Sequence, residues 1–523
     1  MSEDVTPSIA ELHAGKADAK AWFGLAVLAL PTLLVAIDMT VLHLAVPAIT
    51  ASIAPSPVEM LWIVDIYGFM IAGLLVTMGT LGDRLGRRRL LMVGSAGFGA
   101  ASAIAAFAPS PEILIVARAL LGFTAATLMP STLSLISNMF PNEAERGVAI
   151  AIWSSMFMGG TAIGPLLGGF LLEHFWWGSV FLLNVPLTIL LLIMAPAFLP
   201  EFRAARAAPI DMPSIALSLF GILSATYGIK QIASHGYDVV NLTTILVGAA
   251  LLVGFTRRQL HLPAPMLDLS LFRFPTFTAA LTVQFLVVFA VGAPYFLSAQ
   301  YLQLIQDLSP LDAGLAMLPA TIAGIAASLV ASRLATAMRP AYVISIVLLV
   351  GAGGLGVLIT LSGNSELWLV IVGLSLAFVG PSAATALTVN LIVSTAPVER
   401  AGEASGLSET SGEFGMALGI ALTGSLAVAI YRSHIGANLP AGLPPELAMA
   451  ANQSLGELLG ALGNSTHLAG QDVATVAKTA FVNSMAAAAT VGLLLMLLLA
   501  AISIVFLRRV PKPQNAEIDR PPR

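Results

Sequence analysis

GTLGDRLGRRR, from Gly79 to Arg89, joins two long apolar runs through eleven residues that hold four arginines, three glycines and one aspartate. Glycine permits a tight turn and a close approach of the flanking helices. Asp83 can accept hydrogen bonds from a neighbouring helix start, and the arginines hold the turn on one side of a bilayer. An ordinary basic loop accounts for the arginines. It leaves the ordered spacing of Gly79, Asp83, Gly86 and Arg87 unexplained.

The chain around this turn is 57% hydrophobic and 10% charged, with a mean hydropathy of +0.91. Soluble domains carry roughly 25% charged residues. The composition predicts an all-α polytopic membrane protein embedded in a lipid bilayer. The net charge of -4 identifies no partner, because the sign that matters is local to each loop, and nothing suggests nucleic-acid binding. The absence of cysteine excludes disulfides, thiolate chemistry and cysteine-ligated metals. The first twenty residues are polar, so no cleavable signal peptide is expected and the first span itself would direct insertion.

By the ~20-residue criterion, spans are expected at roughly 22–49, 60–80, 90–108, 112–134, 147–172 and 178–199. Two more follow at roughly 212–233 and 241–257, then six at roughly 276–304, 311–335, 341–361, 367–393, 403–431 and 480–507. This divides the chain into a tail (1–21), a six-helix half (22–199), a linker with two additional spans (200–258), a second six-helix half (259–507) and a tail (508–523). Lys and Arg fall in alternate loops, from Lys16 and Lys20 through Arg87, Arg146, Arg206, Arg258, Arg333 and Arg400 to Arg508, which places both termini in the cytoplasm. Only Lys230, Arg432 and Lys478 fall at or near the opposite face, and Arg118 lies within a span. The loop at about 432–479 is long, and PPELAMAANQSLGELLGALG and GQDVATVAKTAF predict two short helices forming an outer hairpin, either lid or passive cover. Asn464-Ser465-Thr466 is an acceptor triplet that needs no glycosylation without a secretory pathway.

Ionisable residues at membrane depth are costly and mark functional sites by default. The run Gly402 to Ala429 has Glu403 at its mouth, and Glu409 and Glu413 further in, four apart and on one helix face. Glu413 lies roughly 15 Å into the span at 1.5 Å per residue. Asp38 sits inside the first span. His43, about 140° around the helix from it, is expected to be a structural polar residue near the outer end. Asp65 is expected about one turn from the outer surface of the second span, with Trp62 and Tyr67 serving either an interfacial belt or a ligand site. Arg118 needs a counter-charge, and Asp38 is the nearest candidate by topology.

The Gly79 to Arg89 turn resembles the G-x-L-x-D-x-x-G-R-[KR]-[KR] loop of the major facilitator superfamily. Arg118 and Gly122, in ARALLGFTAA, resemble the family's intramembrane arginine motif. Gly160, Gly164, Pro165, Gly168 and Gly169, in GTAIGPLLGG, resemble its G-x-x-x-G-P-x-x-G-G antiporter motif. The six, two, six order resembles the fourteen-helix drug:proton antiporters, as do the sequences IDMTVL, LWIVDIY, LLEHFWWGSVFLLNVP, PMLDLSLFR and LSPLDAGLAMLP and the Glu409/Glu413 spacing. The additional acid that some members carry in the tenth span is missing here, and Arg333 with Arg339 looks like a degraded copy of the first loop.

The resemblance implies a proton-coupled multidrug efflux antiporter in a bacterial cytoplasmic (inner) membrane, working as a monomer by alternating access of its two halves. Lipophilic cations such as quaternary ammonium compounds, dyes and biocides would be its partners, and no cofactor beyond the coupling proton is implied. Gly79, Asp83, Gly86 and Arg87 would form a conformational gate. Burial disfavours a lone carboxylate, so a proton or a cationic lipophile can each neutralise Asp38, Asp65, Glu409 or Glu413, and competition couples the two. Arg118 would tune Asp38, and Met39, Phe157, Phe414 and Met416 are candidate pocket walls. One monovalent cation exchanged for one proton moves no net charge; a second proton would draw on the membrane potential, worth ~2.3 kcal/mol per charge per 100 mV. No nucleotide-binding G-x-x-x-x-G-K-[ST] loop, metal-spaced His cluster or nucleophile-base constellation occurs, so a secondary transporter is expected rather than an enzyme. A transporter of a metabolite or lipid, or a non-transporting membrane sensor, are the alternatives.

Overall fold

The computed structural model describes residues 17–203, 211–236, 238–262, 265, 269–396, 401–440, 443–462 and 469–507. Lys16, Arg206, Arg400, the Asn464 triplet, the side chain of Glu403 and the tail from Arg508 lie outside them. Among the described residues, fourteen helices are long and apolar enough to cross a membrane. The first six are α1 (Ala19–Ile53), α2 (Pro57–Leu85), α3 (Arg87–Ala106), α4 (Pro111–Met139), α5 (Glu143–His174) and α6 (Ser179–Phe198). The additional pair is α7 (Met212–His235) and α8 (Val239–His261). The last six are α9 (Pro275–Leu304), α10 (Pro310–Ala337), α11 (Pro340–Ile359), α12 (Leu367–Thr395), α13 (Ala401–Asn438) and α14 (Ala469–Leu507).

Local chemistry sets the helix ends. Asp18 caps α1 by accepting from the Ala21 amide at 2.8 Å. A reciprocal capping box opens α2, with Glu59 N–H donating to Ser56 Oγ at 3.3 Å and Ser56 N–H donating to Glu59 Oε2 at 2.8 Å. Because the box starts α2 at Pro57, Asp65 lies eight residues, about 12 Å, inside the helix, deeper than the single turn expected. The GQDVATVAKTAF stretch is no separate helix. Its Ala- and Val-rich run has no breaker before Phe481, so it forms the first turns of α14. The outer loop instead supplies Pro445–Gln453 and Leu455–Leu462, held to α13 by Tyr431 Oη donating to the Ala451 carbonyl at 3.0 Å. A cavity of about 90 Å³ lies beneath this cover, among the ends of α1, α2, α9, α13 and α14.

Lipid tails are as apolar as leucine, so helices in a bilayer associate through close packing of small residues. The α5 glycines do this on two faces. A Cβ at Gly160 would stand 2.6 Å from Ala36 Cβ, and Gly164 and Gly168 meet Thr40 and Val41 in the same way, which seats α5 on α1. Gly169, turned about 100° further, faces the second half, where a Cβ would lie 2.6 Å from Leu311 Cα. Gly314 of α10 returns the contact, where a Cβ would lie 2.5 Å from the Pro165 carbonyl oxygen. Other joints between the halves, Gln303 Nε2 to the Leu44 carbonyl (3.0 Å) and Gly424 against Leu61, lie in the same region, away from the arginine-rich end. Toward the arginine-rich end the same helices have room: a Cβ at Gly147 or Gly159 of α5, or at Gly406 of α13, would meet nothing within 4 Å.

Alanine at Gly314 should therefore wedge α5 and α10 apart where they now touch. The chain has no native cysteine, so spin labels on Phe170→Cys and Leu315→Cys, both exposed, report the separation without background. In the Gly314→Ala variant the population with the two helices parted should rise; an unchanged distance distribution would show that the contact has slack.

The additional pair packs against the bundle rather than beside it, because α7 contacts both α2 and α13. At the arginine-rich end Arg258 forks onto Asp211 with two bonds of 2.8 Å, and this hydrogen-bonded guanidinium holds the Asp211 carboxyl below the usual carboxylate range.

Candidate functional site

The turn between α2 and α3 is built around one buried arginine. Gly86 has φ of +107°, open only to glycine at little cost, and lets the chain reverse between the two helices. Arg87 is buried and donates to Asp83 Oδ1 from Nε (2.9 Å) and Nη2 (2.6 Å). Asp83 thus receives a side chain from its own turn, not the helix-start amides expected for it. Those amides go to the segment after α6: Arg87 N–H donates to the Phe202 carbonyl at 2.9 Å, and Arg88 N–H to Glu201 Oε1 at 3.1 Å. Glu201, which the sequence placed in a polar linker, is therefore a second anchor of the turn. Gly79 packs near Pro130 of α4.

Deeper in the first half, Arg118 Nη1 donates to Asp38 Oδ2 at 2.6 Å, its Nε donates to the Ile63 carbonyl at 3.1 Å, and its guanidinium lies 4.3 Å from the Tyr67 ring centroid. Asn184 completes the carboxylate by donating to Asp38 Oδ1 at 3.1 Å and also bonds Ser102 at 3.2 Å. Asp38 and Arg118 are each 1% exposed, so both charges are matched inside the protein. Asn184 carried no sequence signal of its own beyond standing in LLNVP. Tyr67, 2% exposed, belongs to this cluster and not to an interfacial belt.

A cavity of about 40 Å³ lies between this cluster and α13. Its lining includes Met39, His43, Asp65, Tyr67, Arg118, Glu413 and Met416. His43, expected as a structural polar residue apart from Asp38, also lines this cavity. Met39 and His43 are four apart and share the cavity face of α1, while Asp38 turns the other way into the first half. The His43 ring stands edge-on to Tyr295 at 5.2 Å, and its Nδ1 has no hydrogen-bond partner. Glu413 is half-buried, and among the described residues neither it nor Glu409 makes a hydrogen bond or ion pair. Glu409 stands one turn nearer the arginine-rich end, beside the buried pair in which Ser408 Oγ donates to Gln284 Oε1 at 2.8 Å.

Several expected members lie elsewhere. Asp38 sits behind Arg118 and does not line the cavity. Phe414, rotated about 100° from Glu413, stands edge-on to Phe69 (6.2 Å) and tilted against Phe285 (5.7 Å), and Phe157 packs half-buried on α5 outside the lining. Lys230 is the largest departure. Expected at or near the outer face, it is fully buried, with its Nζ 2.8 Å from both Asp65 oxygens and 3.8 Å from the Trp62 ring centroid. Loop-by-loop charge counting misplaces it because it assigns every cation near a span end to water.

The first half thus holds an arginine-anchored turn and a matched ion pair, beside a cavity lined by an unpartnered carboxylate, and no metal-holding cluster occurs among the described residues. The chain is 41% identical over 490 residues to the multidrug efflux pump LfrA of Mycolicibacterium smegmatis, covering 94% of this chain and 97% of that one. It is 35% identical to the methyl viologen resistance protein SmvA of Salmonella typhimurium, with 91% and 96% covered, and 30% identical to the tetracenomycin C resistance and export protein of Streptomyces glaucescens, with 99% and 98% covered. Among solved structures it matches a bacterial homologue of the human lysosomal transporter Spinster, in an inward-facing and unoccupied conformation, with a TM-score of 0.68 at 16% identity, covering 95% of this chain and all of that one. The family model described as Major Facilitator Superfamily matches residues 28–420, and the chain, a transporter rather than an enzyme, belongs to that superfamily.

Proposed function

We propose that the protein is a proton-coupled multidrug efflux antiporter that exports lipophilic cations from the cytoplasm across a bacterial inner membrane, working as a monomer with both termini inside. The observation that carries this reading is Glu413: a carboxylate with no partner among the described residues, facing a cavity walled by Met39, Met416 and Tyr67. Thioether and aromatic walls suit a bulky cation with little hydration, and the carboxylate supplies the counter-charge. A proton and the cation then compete for one site, which is the coupling. Alternating access would part α5 from α10 and α2 from α13 at the end where they now touch, and close the arginine-rich end. The relatives support export, since their names record multidrug efflux, resistance to methyl viologen, an organic cation, and export of tetracenomycin C.

Ethidium in proteoliposomes under an imposed pH gradient tests the reading. Protons moving through the transporter towards its cytoplasmic side should drive ethidium the other way, and collapsing the gradient should stop it. Gradient-driven movement of a metabolite but not of ethidium would favour the metabolite transporter, and no pH-dependent ligand movement at all would favour a sensor.

A further inference from the structure

Asp65 belongs to two environments at once. On one side it lines the central cavity with Glu413. On the other it meets Lys230, which arrives from α7, a helix outside both six-helix halves. Its Oδ1 accepts a hydrogen bond from Lys230 at 2.8 Å, whereas Oδ2, equally close to the same nitrogen, has no hydrogen bond. Among the described residues the ammonium makes that single hydrogen bond and otherwise lies over the face of Trp62, 3.8 Å from the centroid. A carboxylate beside an aromatic face is how proteins hold organic cations, including quaternary ammonium groups. The usual role for a buried ion pair is a strut between helices. A strut, however, gains most from a fully hydrogen-bonded ammonium, and α7 already packs on α2 through Gly73 against Leu219.

We propose that Asp65 and Trp62 form a cation subsite adjoining the central cavity, which Asp65 lines and Trp62 does not, and that Lys230 is a tethered cation which occupies this subsite until a lipophilic cation displaces it. The inference rests on the lipophilic-cation reading above. The exchange is isoelectric, so it leaves no bare carboxylate in the membrane at any stage. It favours a particular kind of substrate: a primary ammonium is strongly hydrated, and a delocalised or quaternary cation is not, so the latter loses less on leaving water. Lys230 has somewhere to go. It lies five residues, about 8 Å, from the end of α7 at His235, within the reach of a lysine side chain that snorkels to an interface. The tether also brings α7 and α8 into the transport cycle, because an empty subsite keeps α7 clamped to α2 and a filled one releases it.

Equilibrium binding of ethidium to the purified full chain, by fluorescence, tests the displacement. Lys230→Met removes the competitor and should tighten ethidium binding at least tenfold. A folded Lys230→Met protein that binds ethidium no tighter than wild type overturns the proposal. Should that variant fail to fold because Asp65 is left buried and unpaired, the double variant Asp65→Asn/Lys230→Met decides, since it removes both charges together. The subsite predicts that the double variant binds ethidium at least tenfold more weakly than wild type with an unchanged melting temperature; wild-type affinity in it would make the pair a strut and overturn the proposal. Wild-type protein that binds no ethidium overturns the lipophilic-cation reading itself, and the displacement with it, whereas wild-type binding that Lys230→Met leaves unimproved removes the displacement alone.

Discussion

Glu413→Gln abolishes pH-gradient-driven ethidium transport and lowers cation affinity by about two orders of magnitude, while the protein still folds. The reasoning is electrostatic. A carboxylate and a cation about 4 Å apart at an effective dielectric constant of ~20 attract by about 4 kcal/mol, and desolvation of the pair offsets part of this, leaving roughly 3 kcal/mol, or a hundredfold. Folding survives because Glu413 makes no hydrogen bond or ion pair among the described residues, so the amide leaves no partner stranded there. The same substitution should flatten the pH dependence of binding: where a proton and ethidium compete for Glu413, lowering the pH weakens ethidium binding, and glutamine binds no proton. Glu409→Gln should be milder, because Glu409 stands a turn away and outside the cavity lining. Transport by the Glu413→Gln protein at wild-type rate under a gradient would remove this carboxylate from the coupling.

What could be read in the chain, and what could not, follows from the range of the interactions. The fourteen spans were legible because hydropathy over ~20 residues is a local property, and the α5 glycines were legible because a small-residue stripe reads the same in any context where two helices must touch. Depth and azimuth were harder. His43 and Asp38 share a helix and differ by about 140°, yet which azimuth faces the cavity depends on where α4 and α13 stand, and no local pattern records that. Asp38 with Arg118 could be inferred, since two opposite charges in one half have few other ways to be matched. Lys230 could not. Its partner is 165 residues away on another helix, and a lysine five residues from a span end is ordinarily an interfacial residue. Asn184 and Glu201 were invisible for a related reason: a polar residue near a helix end has many local uses, and only the fold shows that these two complete Asp38 and hold the turn at Arg87.

The largest stability effect is expected at the matched pair in the first half. Arg118→Met leaves Asp38 with Asn184 alone as partner, and Asp38→Asn leaves Arg118 with the Ile63 carbonyl and the Tyr67 ring. Each change strands a charge that is almost fully enclosed, and breaking one side of such a pair costs about 3–5 kcal/mol, a large share of the roughly 5–15 kcal/mol that separates a typical domain from its unfolded state. Both single variants should therefore melt far below the parent in detergent and express poorly. The double variant Asp38→Asn/Arg118→Met strands nothing, because two uncharged side chains of similar volume replace the pair, and most of the lost stability should return. Transport in the rescued protein then separates two roles for the pair. Arg118 lines the cavity that Glu413 faces, so its fixed positive charge repels a cation bound there more than an apolar wall would, and that influence disappears with the arginine. The double variant should accordingly fold and bind ethidium but fail to release it under a pH gradient. Recovery of both stability and gradient-driven transport would make Asp38 and Arg118 an anchor between α1 and α4 and nothing more.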